Sequence, residues 1–269
     1  MSIRSKEMEF DARIDLLRQR IKNSEDLKVQ GDVFDTRTLM NLYSLASKGI
    51  IDFLGGSVST GKEASIFYAM GGGNDLVLKI YRVSNSNFRV MQDYLQGDPR
   101  FGSIKGTKRS IVSAWTKKEF RNLKRAEEAG VSIPHPLAIR ENILVMELIG
   151  GKDNPAPPLK EVELEHHEAI RVFAIIADYI GRLYNQAKLV HADLSEYNIL
   201  YNGEPVVIDM GQSVTLDHHM ARKFLERDVA NIVRYFGKKY GIGLEEEIWS
   251  RLKSAKTGKE RERRKPSGD

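Results

Sequence analysis

Asp193 and Asn198 stand five residues apart in "LVHADLSEYNIL", and Asp209 closes the apolar run "VVID". An aspartate can accept or orient the proton of an attacking hydroxyl. A second aspartate and an asparagine supply two hard oxygen donors of the kind Mg²⁺ takes, the rest of its shell coming from water and nucleotide phosphates. Upstream, Lys79 lies in "LVLKIY", among neighbours that read as buried on both faces. A lysine there can neutralise phosphates, and a buried one requires a partner. Glu119 is the candidate, although Lys117, Lys118 and Glu119 also read as a solvated helix face. Together these residues point to transfer of a phosphoryl group. Turn-forming Asp and Asn residues are the bland alternative, and four elements in the right order argue against it.

The spacing from Asp193 to Asn198 is that of the protein-kinase loop H-R-D-x-x-x-x-N. In that pattern Asp193 acts on the hydroxyl proton, Asn198 binds a metal, and Asp209 bridges metal to phosphates. A second phosphate device precedes them. "GGSVSTGKEA", Gly55 to Ala64, has the outline of a Walker A loop, but Glu63 stands where Ser or Thr would bind magnesium. A Walker A loop also opens a helix. The residues after Lys62, "EASIFYAM", alternate like a strand, so the loop joins two antiparallel strands as a kinase glycine-rich loop does. Small residues there let backbone N–H groups approach phosphate oxygens.

Those side chains need a frame. "EMEFDARIDLLRQRIK" has helical spacing, and Asp35 reads as the N-cap of a helix with Leu39, Leu42, Tyr43 and Ala46 on its apolar face. Strands are expected at Ile50–Gly55, Ser65–Met70 and Leu76–Tyr81, with "GGGND" as a hairpin turn. Residues 84–112 show no clear period and read as a long, partly mobile insertion. A helix over Trp115–Ala129 follows, then strands near Leu137–Ile139 and Ile143–Met146. "EHHEAIRVFAIIADYIGRLYNQA" reads as a helix with Ile170, Phe173, Ala174, Ala177, Ile180 and Tyr184 inward. In "FLERDVANIVRYF", Phe224, Val229, Ile232 and Val233 read as buried, and Asp228 as a structural aspartate binding the backbone near His191.

The 269 residues, 41% hydrophobic and 29% charged, suit a globular protein with a sizeable core. Without cysteine, disulfides and thiolate metal sites are excluded. The opening residues lack a signal-like apolar run and no stretch reads as membrane-spanning, so a cytoplasmic, non-membrane protein is expected. The net charge of +5 favours anionic partners such as RNA.

"STGKEA", "HADLSEYNIL" and "IDMGQSV" together resemble the RIO family of atypical protein kinases, in its type-1 branch, over about Gly49 to Phe236. The resemblance implies an α+β, trimmed two-lobed kinase-like fold: an antiparallel sheet plus helix in the N-lobe, a mostly helical C-lobe, and no activation segment. No A-P-E follows Asp209, Met210 replaces the Phe of D-F-G, and Ala192 replaces the Arg before the catalytic Asp. It further implies ATP with Mg²⁺ or Mn²⁺. Ser57 and Lys62 would contact the phosphates, Met146 would be the gatekeeper, and the backbones of Glu147 and Ile149 would meet adenine. Autophosphorylation is expected in the insertion, at Ser84, Ser86, Ser103 or Ser110. The small-ribosomal-subunit precursor and its RNA are the implied partners, and the chain is expected to be a monomer of archaeal type.

The domain layout expected is a helical extension over 1–48, an N-lobe over 49–149, a C-lobe over 150–255 and a basic disordered tail over 256–269. Two rivals remain: an aminoglycoside-type small-molecule phosphotransferase, and an ATP-binding ribosome-assembly module with little turnover. The short, basic region after the catalytic loop disfavours the first. Intact Lys79, Asp193, Asn198 and Asp209 disfavour a dead enzyme, though not slow turnover used as a switch.

Overall fold

The computed structural model describes residues 34–84, 87–98, 100–101 and 107–252. The helix expected around Phe10–Ile21 and the tail over 256–269 lie outside the described residues. Internal packing divides the chain into two units. One comprises Met1–Gln96, Phe101–Phe120 and His135–Pro155; the other comprises Gly97–Arg100, Arg121–Pro134 and Ala156–Asp269. The linear boundaries at 48/49 and 149/150 are therefore not where the units divide. The described part of the expected extension belongs with the sheet, and Arg121–Pro134 belongs to the helical unit.

In the sheet unit, α1 (Thr36–Ser47) begins where the Asp35 carboxylate accepts the Thr38 N–H at 2.8 Å, satisfying a donor that the first helical turn leaves open. Five antiparallel strands follow: β1 (Phe53–Thr60), β2 (Ala64–Gly71), β3 (Asn74–Tyr81), β4 (Pro136–Arg140) and β5 (Ile143–Glu147), in the order β1-β2-β3-β5-β4. Gly71 pairs with Asn74, so Gly72 and Gly73 make a two-residue turn. Both have positive φ, +58° and +80°, which a side chain would oppose. Leu42 and Leu45 of α1 join Leu54, Phe67, Leu78, Ile80 and Val145 in one core. Leu39 and Ala46 only pack at its margin, and Leu45, not singled out in the sequence reading, is a buried anchor.

β1 runs through the glycine-rich segment instead of ending before it, with register irregularities on either side of Ser57. The insertion needs a larger correction. Phe88–Gln96 is a helix (α2) with Met91 and Leu95 buried, and α3 spans Lys108–Glu128, beginning seven residues before the expected Trp115. Met91, Leu95, Ile111, Val112, Trp115 and Tyr81 form a separate core. Phe88, Met91 and Leu95 stand at i, i+3 and i+7, a helical stripe masked by the polar residues around it.

In the helical unit, α4 (His166–Arg182) is followed by a π-turn at Leu183–Ala187, and α5 spans Ala221–Tyr240. Two-stranded ladders pair β8 (Leu189–Val190) with β11 (Val214–Thr215) and β9 (Ile199–Tyr201) with β10 (Pro205–Val207). Between the units in sequence, β6 (Gly150–Gly151) and β7 (Asn154–Pro155) make a short ribbon in the sheet unit. The inward face of α4 is rotated from the expected one. Ala169, Val172, Phe173, Ile176, Ala177 and Ile180 are buried, whereas Ile170 is 49% exposed and Ala174 and Tyr184 are half-buried. Apolar residues on two sides of this helix blurred its stripe. On α5, Val229 and Ile232 are buried, and Phe224 and Val233 are only partly so. Among the described residues no helix is long and apolar enough to cross a membrane.

If α2 is a packed helix, Met91→Ala should destabilise the protein by about 2–5 kcal/mol, the usual cost of truncating a fully buried side chain. Denaturant unfolding reads this directly. A change under about 0.5 kcal/mol, the range of an exposed site, would mean a mobile insertion.

Candidate active site

Lys79 sits on β3, 8% exposed, and its Nζ meets Glu119 Oε1 of α3 at 2.7 Å. Strand alternation places Tyr81 on the same side as Lys79. The Tyr81 hydroxyl donates to Glu119 Oε2, and Lys79 Nζ lies 5.3 Å from the Tyr81 ring centre. Glu119 is 1% exposed. Both its oxygens are engaged, as a carboxylate taken this far from water requires. Tyr81 was not foreseen, although its position two residues after Lys79 could have found it.

The other sequence-predicted residues of this unit are more open. Ser57 Oγ lies 3.1 Å from Thr60 Oγ1, and Lys62 is exposed in the turn from β1 to β2, where Gly61 N–H donates to Ala64 O at 2.9 Å. Met146 is half-buried and packs on Tyr68, Val77 and Leu148 with Phe53 and Ile66, an apolar surface of the kind a purine ring prefers. The Glu147 N–H is committed to His135 O at 3.0 Å, and Leu148 N–H to Asp75 O at 3.3 Å. Adenine can therefore be met at Glu147 through its carbonyl, not its N–H. Ile149 follows β5, half-buried. Of the candidate serines, Ser84 is exposed, Ser86 and Ser103 fall outside the described residues, and Ser110 stands in the first turn of α3 with its hydroxyl on Thr107 O at 2.7 Å.

The helical unit holds the rest. Asn198 directly precedes β9, and Ile208 and Asp209 directly follow β10. Ile199 pairs with Val207, and Ile208 N–H donates to Asn198 O at 3.0 Å, so the ladder brings Asn198 beside Asp209. Asn198 Nδ2 donates to Asp193 O at 2.8 Å and Asp193 Oδ2 at 3.2 Å. That fixes the asparagine amide with its oxygen turned from Asp193. Gln212 Nε2 also donates to Asp193 Oδ2, at 3.1 Å, a contact the sequence reading missed. Burial, then the negative charge of Asp209, pushes the Asp193 carboxyl above its ordinary range. A carboxylate so raised is a better proton acceptor.

Two backbone positions are unusual. Ala192 has φ +67° and Asp209 φ +60°, the left-handed region that residues with a Cβ rarely enter. Each such residue costs on the order of 1–3 kcal/mol and persists only where neighbours over-determine it. Ala192 is held from α5. Asp228, 1% exposed, accepts from Ala192 N–H at 2.8 Å and Leu194 N–H at 2.9 Å. The Arg227 guanidinium donates to Ala192 O, and Asn231 Nδ2 to Leu194 O at 3.1 Å. The expected structural role of Asp228 thus has a specific form: it threads the backbone on either side of Asp193. His191 Nε2 meets Ile208 O at 3.0 Å and ties this loop to the segment leading to Asp209.

The donor set suits a hard cation. Asn198 and Asp209 offer oxygens from adjacent chain segments, and nucleotide phosphates and water would complete the shell that Mg²⁺ prefers. Among the described residues no cluster of three or more His, Cys, Asp or Glu could hold a metal.

The chain is similar to known proteins. A family model described as the RIO domain matches residues 65–248. The RIO-type serine/threonine-protein kinase Rio1 of Haloferax volcanii is 47% identical over 235 residues, covering 87% of this chain and 79% of that one. Its namesake in Methanocaldococcus jannaschii is 44% identical, covering 84% and 77%. The human serine/threonine-protein kinase RIO1 is 42% identical, covering 81% of this chain and 39% of its own length. A solved Rio2 kinase from Chaetomium thermophilum, described as an ADP/Mg²⁺–phosphoaspartate complex, superposes with a TM-score of 0.57 at 23% identity, covering 82% of this chain and 70% of that one.

Lys79→Met should destabilise by about 3–5 kcal/mol, because it strands a buried carboxylate. Adding Glu119→Gln should restore most of that stability while phosphoryl transfer stays abolished. Activity in the folded double variant would remove Lys79 from the chemistry. For Asp228, burial pushes the carboxyl up to about 7 against the pull of its two backbone donors. The native state then keeps a proton that the unfolded chain has lost. This group's contribution to stability is largest near pH 4 and declines as pH rises to about 7. Urea unfolding should show Asp228→Asn losing more stability, relative to wild type, near pH 5 than near pH 8. A constant difference would mean that the native carboxyl is ionised throughout.

Proposed function

The chain belongs to the RIO family, as a serine/threonine-protein kinase of Rio1 type that binds ATP, and from that premise we propose how its residues divide the work. Lys79, oriented by Glu119, binds the α- and β-phosphates. The β1–β2 hairpin, with Ser57 on β1 and Lys62 in its turn, covers the outer phosphates. The purine lies on the surface of Ile66, Tyr68 and Met146, meeting the Glu147 carbonyl and the Ile149 backbone. Asn198 and Asp209 hold Mg²⁺, which supplies positive charge against the phosphate oxygens. Asp193 orients the acceptor hydroxyl and takes its proton. The observation that carries this reading is the Asn198–Asp193–Gln212 hydrogen-bond set beside Asp209.

The acceptor on protein substrates is serine, including serines of the chain itself, and the physiological setting is maturation of the small ribosomal subunit. The family resemblance and the excess of basic residues support that setting. The basic tail over 256–269 contributes RNA affinity and takes no part in transfer. A second acceptor is Asp209 itself. It is exposed, it stands beside the metal donors, and a related Rio2 kinase is described as a phosphoaspartate complex. Its carboxylate oxygen attacks the γ-phosphorus as ADP leaves, and water later releases inorganic phosphate.

Incubation with γ-labelled ATP tests both acceptors. Hydroxylamine should release part of the label from the wild-type protein, and all of it once Ser84, Ser86, Ser103 and Ser110 are replaced by alanine. Label that fully survives hydroxylamine even in this four-serine variant would exclude Asp209 as acceptor. No incorporation at all, with slow ATP hydrolysis, would favour an ATP-dependent assembly switch.

A further inference from the structure

The chain past Asp209 is gripped by residues the catalytic motifs do not contain. Asn122, on α3 and completely buried, donates from Nδ2 to Met210 O at 2.9 Å and to Ser213 O at 3.1 Å. These carbonyls lie on either side of Gly211 and Gln212. Gln212 in turn reaches Asp193. One amide therefore clamps both ends of the turn that carries a contact to the catalytic aspartate and begins one residue after Asp209.

The amide is itself held. Asn122 Oδ1 accepts from Arg100 Nη2 at 2.8 Å. Because the guanidinium is only a donor, it can face only the oxygen, and the NH₂ group is forced toward the two carbonyls. Arg100 is fixed by a bidentate pair to Asp98, Nε to Oδ1 at 2.8 Å and Nη2 to Oδ2 at 2.6 Å. Asp98 is 1% exposed and also accepts the Arg100 N–H at 3.0 Å. The residue next to Asp98 is constrained too. A Cβ on Gly97 would lie 2.0 Å from the ring of His218, so no larger residue fits without displacing it.

We propose that Asn122 is a positioning residue for Asp209, and that Asp98 and Arg100 at the end of α2 set the orientation of its amide. Asp209 sits at a φ of +60° that its own side chain disfavours. The bond from Ile208 N–H to Asn198 O restrains the preceding residue, and Asn122 restrains the residue that follows. Loss of the clamp lets Asp209 relax toward ordinary backbone geometry and turns its carboxylate away from Asn198. The insertion thereby acts on the metal donors through three side chains. This inference rests on the reading of Asp209 as a Mg²⁺ donor.

The test is binding of a non-hydrolysable ATP analogue by calorimetry, with and without Mg²⁺, beside thermal unfolding. Wild-type protein must first bind the analogue more tightly with Mg²⁺ than without; if it does not, the metal reading fails, and not the clamp. Asn122→Ala should raise the Mg²⁺ concentration for half-maximal enhancement about tenfold, while affinity without Mg²⁺ stays within about twofold. Arg100→Ala should shift it the same way by a smaller factor, and the double variant should match Asn122→Ala alone, because Arg100 acts only through the amide. If Asn122→Ala does not fold, Arg100→Ala and Asn122→Gln carry the comparison. A lowered melting temperature with an unchanged Mg²⁺ dependence in the folded variants would overturn the proposal and leave Asn122 a packing residue. Equal losses of affinity with and without Mg²⁺ would overturn it as well.

Discussion

Two residues of the candidate site, Ala192 and Asp209, are held at positive φ without being glycine, and the helical unit is organised around keeping them there. Strain of this size is a small sum against the whole fold but large against one loop. It persists because buried polar groups leave the loop no cheaper state. If Ala192 and Leu194 turned away from Asp228, a carboxyl 1% exposed would lose both backbone donors. Stranding such a group costs more than the strain relieved. The loop is thus fixed by the penalty for releasing it.

The same economy governs the sheet unit with different chemistry. Lys79 and Glu119 are both buried, and each is tolerable only because the other is present. The pair adds little net stability, yet it pins one ammonium to one place on β3. The charge is desolvated and oriented in advance, as binding an anion with little reorganisation requires. Tyr81 finishes the arrangement by occupying the second oxygen of Glu119.

Much of this could be read from the chain because the chemistry is local in sequence. The Asp193–Asn198 spacing, the strand before Asp209, and a lysine in an apolar strand each follow from short-range pattern. The turn at Gly72–Gly73 and the cap at Asp35 do too. What could not be read depends on long-range contacts. Asn122 lies three residues after Glu119, one helical turn on, but nothing local says that its amide meets Met210 and Ser213. The helix Phe88–Gln96 was hidden because its stripe is narrow and its flanks are rich in Ser, Asn and Gly. On α4 the error was one of phase: Ile170 is as apolar as the residues beside it, and only packing decides which of them faces in. The glycine-rich segment was placed between strands as found, but drawn as a loop where the backbone remains extended through Thr60.

The backbone around Asp193 is locked by buried polar partners before any nucleotide binds. Native-state amide hydrogen exchange on the nucleotide-free protein measures this most directly. The amides of Ala192, Leu194 and Ile208, which donate to Asp228 and to Asn198 O, should exchange as slowly as those of β3, opening only with the unit that contains them. Exchange at the rate of the exposed Gly72–Gly73 turn would contradict it, and would mean that the loop becomes ordered only when substrate arrives.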